Sequence, residues 1–98
     1  MAGTDVVVEE KIKIAEPKRW KVIFLNDDST PIDFVMAVLI GTFKHDIDSA
    51  TKITMQVHET GTGVAGVYTY EIAESKSVET VAVARSNDFP LQVTIEEE

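Results

Sequence analysis

The sequence predicts an α+β fold: a three-stranded antiparallel sheet packed against three helices, preceded by a flexible N-terminal extension. Three observations carry this expectation. Trp20–Leu25 and Leu91–Glu96 have the two-residue alternation of strands. Apolar residues recur at helical spacing after two start signals, Thr30-Pro31 and Asp46. Glycine, proline and polar turn residues mark the boundaries, so the order reads strand, helix, helix, strand, helix, strand.

Residues 1–19 read as an extension. Val6-Val7-Val8 has the composition of a short strand, but Glu9, Glu10, Lys11, Lys13, Glu16 and Pro17 follow closely, which favours a mobile segment. The core domain is expected over residues 20–98. In its first strand Trp20, Val22 and Phe24 alternate with Lys21, Ile23 and Leu25, which suggests that both faces are partly covered. Asn26-Asp27-Asp28-Ser29 is turn chemistry. Thr30 then suits a helix cap, Pro31 the first helical position, and Asp33 a capping-box partner. Phe34, Val35, Val38, Leu39 and Phe43 follow at helical spacing.

Asp46 can cap a second helix, with Ile47, Ala50, Ile53, Thr54 and Val57 on one face and Gly61 as its stop. Val64 to Ile72 reads as a strand containing Gly66. Residues 75–87 read as a third helix, with Val78, Val81, Ala82 and Arg85 on one stripe. Pro90 opens the last strand, in which Leu91, Val93 and Ile95 alternate with Gln92, Thr94 and Glu96.

Composition narrows the function. The 98 residues suit one domain. A net charge of −8 argues against nucleic acid and against anionic membrane surfaces, and favours basic or cationic partners. There is no cysteine, which removes disulfides, thiol chemistry and cysteine-based zinc sites, and suits a reducing cytoplasmic setting. No apolar run approaches the roughly 20 residues of a membrane span.

Little in the chain marks catalysis. His45 and His58 lie thirteen positions apart with no carboxylate at a shared ligand spacing, so a metal site is not expected. Asp27-Asp28 lacks the alternating ligands of a calcium loop. Gly61-Thr62-Gly63-Val64-Ala65-Gly66 matches the dinucleotide pattern, but a helix precedes it and a strand follows, the reverse of the required context. Neither a cofactor nor an enzymatic activity is expected. The feature that stands out is Asn26-Asp27-Asp28-Ser29-Thr30, where two carboxylates crowd beside an asparagine between apolar segments. A turn and a cap account for part of this. A cationic ligand would relieve the remaining repulsion.

These residues resemble a known family. The run Lys21-Val22-Ile23-Phe24-Leu25-Asn26-Asp27-Asp28-Ser29-Thr30-Pro31-Ile32-Asp33-Phe34-Val35 is similar to the signature of the ClpS adaptors, a strand running into N-D-D-x-T-P and a helix. A second block agrees at Ala50-Thr51, Val57-His58, Gly61 and Ala65-Gly66-Val67-Tyr68-Thr69, and a third at Glu71-Ile72-Ala73-Glu74-Ser75-Lys76, expected just before the third helix. Pro90-Leu91 sits where the last strand starts, so the resemblance covers roughly residues 19–97.

The resemblance implies an adaptor of the N-degron pathway, monomeric, that binds a bulky hydrophobic N-terminal residue (Leu, Phe, Trp or Tyr) and delivers the protein to a Clp AAA+ unfoldase and protease. It places Asn26, Asp27 and His58 at the substrate's α-amino group, with Asp28 supporting the acidic turn. It places Thr30, Ile32, Val35, Thr54, Val57 and Leu91 around the side-chain pocket. Glu71 and Lys76 match the surface that meets the N-domain of a ClpA- or ClpC-type unfoldase, and residues 1–19 match a segment engaged during delivery. The chemistry is coherent: an α-amino group with a pKa of about 7.7–8.0 is largely protonated near neutrality and needs convergent acceptors.

Two positions depart from the commoner pattern. Ile32 stands where a methionine gatekeeper against β-branched first residues is usual, and Thr54 replaces another usual methionine. The expectation is a retained amine end with an altered side-chain preference, although the Thr54 hydroxyl can also bond back within its own helix. Two other readings remain at this point: a general N-terminal peptide-binding module uncoupled from a Clp machine, and, with little support, a nucleotide-linked enzyme using Gly61–Gly66.

Overall fold

Trp20–Leu25 forms the central strand, β1, because it carries apolar side chains on both faces: Val22 and Phe24 are fully buried, while Lys21, Ile23 and Leu25 are half-buried. The structure, a computed structural model, describes residues 17–98. The extension expected over residues 1–19, with the short strand weighed at Val6–Val8, falls outside the described residues up to residue 16. After β1 come α1 (Ile32–Gly41), α2 (Ile47–Thr60), β2 (Thr62–Tyr68), α3 (Tyr70–Ser86) and β3 (Gln92–Glu97). The order and the α+β class are those expected from the sequence.

The sheet order is β2-β1-β3, with both neighbours antiparallel to β1. Val22 faces Gly66 and Ile23 faces Val64, which leaves Ala65 as an extra residue in a β-bulge. The fully buried Ala65 has its carbonyl bonded by His45 Nε2, so the imidazole carries its proton on that nitrogen. The core fills the space between Val22 and Phe24 on the sheet and Val35, Val38, Leu39, Ala50, Val57, Ala73 and Ala84 on the helices. Phe43 closes one end, edge-on to Phe24 with ring centroids 5.4 Å apart.

Several local expectations are corrected. The second strand was expected over Val64 to Ile72 but ends at Tyr68. The third helix was expected over residues 75–87 but spans Tyr70–Ser86, so Glu71-Ile72-Ala73-Glu74-Ser75-Lys76 forms its first turns rather than preceding it. Alternation through Tyr68–Ile72 imitates a strand, but Thr69 turns the chain and its carbonyl accepts the amide of Ala73, 2.9 Å away. The inner stripe of α3 is also different. Val78 and Ala82 are exposed, and Ala73, Thr80 and Ala84 face the core. Small side chains let this helix approach the sheet closely, and the buried Thr80 hydroxyl satisfies itself on Lys76 O at 2.7 Å.

The start of α1 is a further correction. Thr30 does not cap it and Asp33 forms no capping box. Pro31 occupies the N-cap position with no side-chain cap, and its carbonyl accepts the amides of Phe34 and Val35. The Thr30 hydroxyl is used on Asp27 instead. At α2 the expected signals hold. Asp46 accepts from Ser49 N at 2.8 Å, and Gly61 ends the helix at φ 93°, a left-handed conformation natural to glycine. Ile47, expected on the inner face of α2, is 68% exposed. Among the described residues no helix is long and apolar enough to cross a membrane.

Candidate functional site

The turn leaving β1 and the end of α2 are tied together by one backbone bond, Asn26 N to Gly61 O at 2.9 Å. That bond brings Asn26-Asp27-Asp28 alongside His58, in the last turn of α2. Between them lies a cavity of about 250 Å³ lined by Asn26, Asp27, Asp28, Thr30, Ile32, Val35, Thr54, Val57 and His58. Nearly all the residues expected from the sequence therefore meet at one place. Leu91 does not line this cavity; it is 1% exposed within the hydrophobic core. Glu71 and Lys76 lie apart from it on α3.

The cavity is polar at one end and apolar at its floor. Val35, Val57 and Thr54 form the floor and are almost fully buried, at 7%, 5% and 5% exposure. Ile32 stands half-exposed at the lip. The floor depends on Gly63 in β2, which lies directly beneath α2. A Cβ there would come within 2.6 Å of the Val57 side chain and 3.2 Å of Ile53 O. Glycine at this position lets α2 seat Val57 and His58 against the sheet.

Asp27 organises the polar end. Its Oδ1 accepts the amides of Ser29 and Thr30 at 2.8 and 2.7 Å, and its Oδ2 accepts the Thr30 hydroxyl at 2.8 Å. Burial alone would raise its pKa, but the Thr30 hydroxyl, the two amides and the nearby charge of Arg85 together outweigh that and hold it below the ordinary carboxylate value. The carboxylate therefore stays ionised. It uses three of about four acceptor directions on its own turn, leaving room for one more donor. Much of the repulsion inferred from sequence is thus relieved within the turn. The exposed Asn26, Asp28 and His58 side chains complete a rim of acceptors around the cavity mouth.

Two residues were missed as parts of this site. Met36 of α1 adjoins a floor residue, its sulfur receiving the Thr54 hydroxyl at 3.3 Å. Arg85 donates to the carbonyls of Phe89 and Leu91 at 2.7 and 2.9 Å, bracing the loop before β3, and its charge reaches Asp27. A charged residue on an otherwise apolar helical stripe was the available signal for Arg85.

On α3, Glu71 is exposed in the first turn, whereas Lys76 is engaged internally. The Lys76 ammonium donates to Thr42 O at 2.8 Å, at the end of α1, and lies 5.8 and 5.4 Å from the ring centres of Phe43 and Tyr68.

A small α+β domain with a cavity that is acceptor-rich at its mouth and apolar at its floor has the shape and chemistry of a ligand-binding module. The chain belongs to the ClpS family: the model described as "ATP-dependent Clp protease adaptor protein ClpS" matches residues 15–94. It is 45% identical over 96 residues to the ATP-dependent Clp protease adapter protein ClpS of Caulobacter vibrioides, covering 98% of this chain and 88% of that one. The Campylobacter jejuni protein of the same description is 43% identical over 89 residues, 91% of this chain and 93% of its own. Among solved structures, Agrobacterium tumefaciens ClpS2 bound to L-phenylalaninamide superposes with a TM-score of 0.81 at 38% identity, covering 85% of this chain and all of that one. The family is one of adaptors of the Clp protease, not of peptidases.

Proposed function

We propose that this adaptor reads the first residue of a protein, preferring bulky hydrophobic side chains (Leu, Phe, Trp, Tyr), and delivers the bound protein to a Clp AAA+ unfoldase. The observation that carries this reading is the two-ended cavity. Asn26, Asp27 and His58 receive the three donors of a protonated α-amino group, and Asp28 adds negative potential at the mouth. Hydrogen bonds to a charged group contribute roughly 1.5–3 kcal/mol each. The side chain enters between Ile32 and Thr30 and rests on Val35, Val57 and Thr54, where full burial of a large apolar group contributes roughly 1.5–3 kcal/mol. A cavity of about 250 Å³ falls short of the usual drug-sized range and suits one side chain.

The phenylalaninamide in the Agrobacterium relative supports the same reading, because that compound carries a free α-amino group and an apolar side chain. Leu91 acts here through the packing of the core rather than as part of the lining. Delivery is assigned to the α3 surface, where Glu71 offers its charge to the unfoldase N-domain. Lys76 contributes there chiefly by fixing the end of α1. Residues 1–19 are assigned to engagement by the unfoldase during delivery, with the adaptor acting as a monomer.

The test is degradation of a reporter beginning with Phe by a ClpA- or ClpC-type unfoldase with its peptidase. Adding the adaptor should accelerate its loss, and a dipeptide beginning with Phe should suppress the acceleration. Equal degradation with and without the adaptor would refute delivery.

A further inference from the structure

Threonines inside helices usually return their hydroxyl to the carbonyl one turn back. Thr51, Thr60 and Thr80 do so, to Ile47 O at 2.8 Å, Gln56 O at 2.7 Å and Lys76 O at 2.7 Å. Thr54 does not. Its hydroxyl crosses the seam between α1 and α2 and donates to Met36 Sδ at 3.3 Å, and Thr51 Oγ1 lies 4.0 Å from the same sulfur. The alternative expected from sequence, a bond back within the helix, is not the one adopted. A thioether accepts only weakly.

With its proton directed at Met36, the Thr54 hydroxyl keeps its oxygen available as an acceptor. The Thr54 oxygen has two lone pairs, and among the described residues no donor reaches them. Thr54 is 5% exposed and is one of the residues lining the floor, so a bound side chain that packs on it removes what water access this acceptor has. A purely apolar side chain would leave it buried without a donor, and a side chain carrying an N–H would satisfy it.

Its position favours one kind of donor. Thr54 precedes His58 by four residues on α2, which places it roughly 6 Å further along the helix axis. A ligand whose amine sits among Asn26, Asp27 and His58 therefore reaches Thr54 about one helical turn further in. The N–H of an indole lies two ring bonds beyond the Cβ attachment and falls near that reach. A phenol hydroxyl lies at the far tip of its ring.

We propose that Thr54, whose hydroxyl is directed at Met36, is a specificity-determining residue that selects tryptophan as the first residue by accepting its indole N–H. This rests on the reading that the cavity takes a protein's first residue, and it names that pocket's preferred occupant.

The test uses short peptides beginning with Trp, with Phe, or with 3-benzothienylalanine, which keeps the shape of Trp but replaces its N–H with sulfur. Affinities are measured by competition for the wild type, Thr54→Val and Thr54→Ser, with thermal midpoints confirming that each variant is folded. The wild type should favour Trp over benzothienylalanine by about 2- to 10-fold, the value of one net hydrogen bond. Thr54→Ser should keep that ratio, and Thr54→Val should bring it to one. Equal wild-type binding of the two peptides, or a ratio that survives in Thr54→Val, overturns the assignment while a bound Phe peptide leaves the proposed function intact. Failure of every free N-terminus to bind overturns both.

Discussion

Replacing Asp27 with alanine separates the structural part of the turn from its charge when it is set beside replacement with asparagine. Alanine removes three hydrogen bonds, from Ser29 N, Thr30 N and Thr30 Oγ1. The Ser29 amide is exposed and recovers water, so most of the loss falls on the two part-buried groups of Thr30. Removing a comparable cap costs about 0.5–2 kcal/mol, and the buried share places Asp27→Ala near the top of that range. For a domain of this size that is roughly 8–15 °C in Tm.

Asparagine keeps an oxygen for both amides, and its NH₂ can donate to Thr30 Oγ1, because a hydroxyl accepts as well as donates. Asp27→Asn should therefore stay within about 1 kcal/mol of wild type, yet bind a free N-terminus about 10-fold or more weakly through loss of the charge. Urea denaturation at neutral pH, with unchanged slope, reads the stability. The pH dependence gives an independent sign. A carboxyl whose folded pKa is depressed stabilises above the unfolded value, and that stabilisation is lost as pH falls below about 4 through the folded value. Asp27→Asn should lack this component of the acid transition. Wild-type stability in Asp27→Ala, or an equal loss in both variants, would refute the role given to the turn.

Two further substitutions probe the scaffold. Lys76→Met keeps the aliphatic stem but loses the bond to Thr42 O and the contacts with Phe43 and Tyr68; after allowing for recovered side-chain entropy it should cost about 1–2 kcal/mol, read by urea denaturation. An unchanged midpoint would return Lys76 to the status of a free docking charge. Gly63→Ala drives a methyl into Val57 and Ile53 O, so it should destabilise by about 1–3 kcal/mol and weaken peptide binding by displacing α2; wild-type midpoint and affinity together would contradict the tight seating of the floor.

The parts of the fold that were legible in the sequence are those where local chemistry and tertiary demand agree. β1 had apolar residues on both faces and is central; Asp46 and Gly61 bracket α2; and Asn26-Asp27-Asp28 forms a turn. The start of α3 was not legible, because Tyr68–Ile72 alternates like a strand and only Thr69 turns it. Its inner stripe was missed because Ala73, Thr80 and Ala84 are small, while the larger Val78 points outward.

The site was legible to a similar depth. The acceptor turn and His58 line one cavity, and how they are joined rests on Asn26 N to Gly61 O, a bond between distant segments. Thr54 stood out as a departure from the pattern of the family that the sequence resembles. Its partner Met36 did not, since the two meet only once α1 packs on α2. Leu91 belongs to the core and does not line the cavity, a distinction that the alternation of Leu91, Val93 and Ile95 does not encode.

The most direct test of the account is the binding of a labelled peptide beginning with Phe, compared with the same peptide acetylated at its α-amino group. The account predicts saturable binding of the free peptide and a loss of about 10-fold or more on acetylation, because the modification removes the charge that Asn26, Asp27 and His58 receive. Equal binding of the two peptides would contradict it.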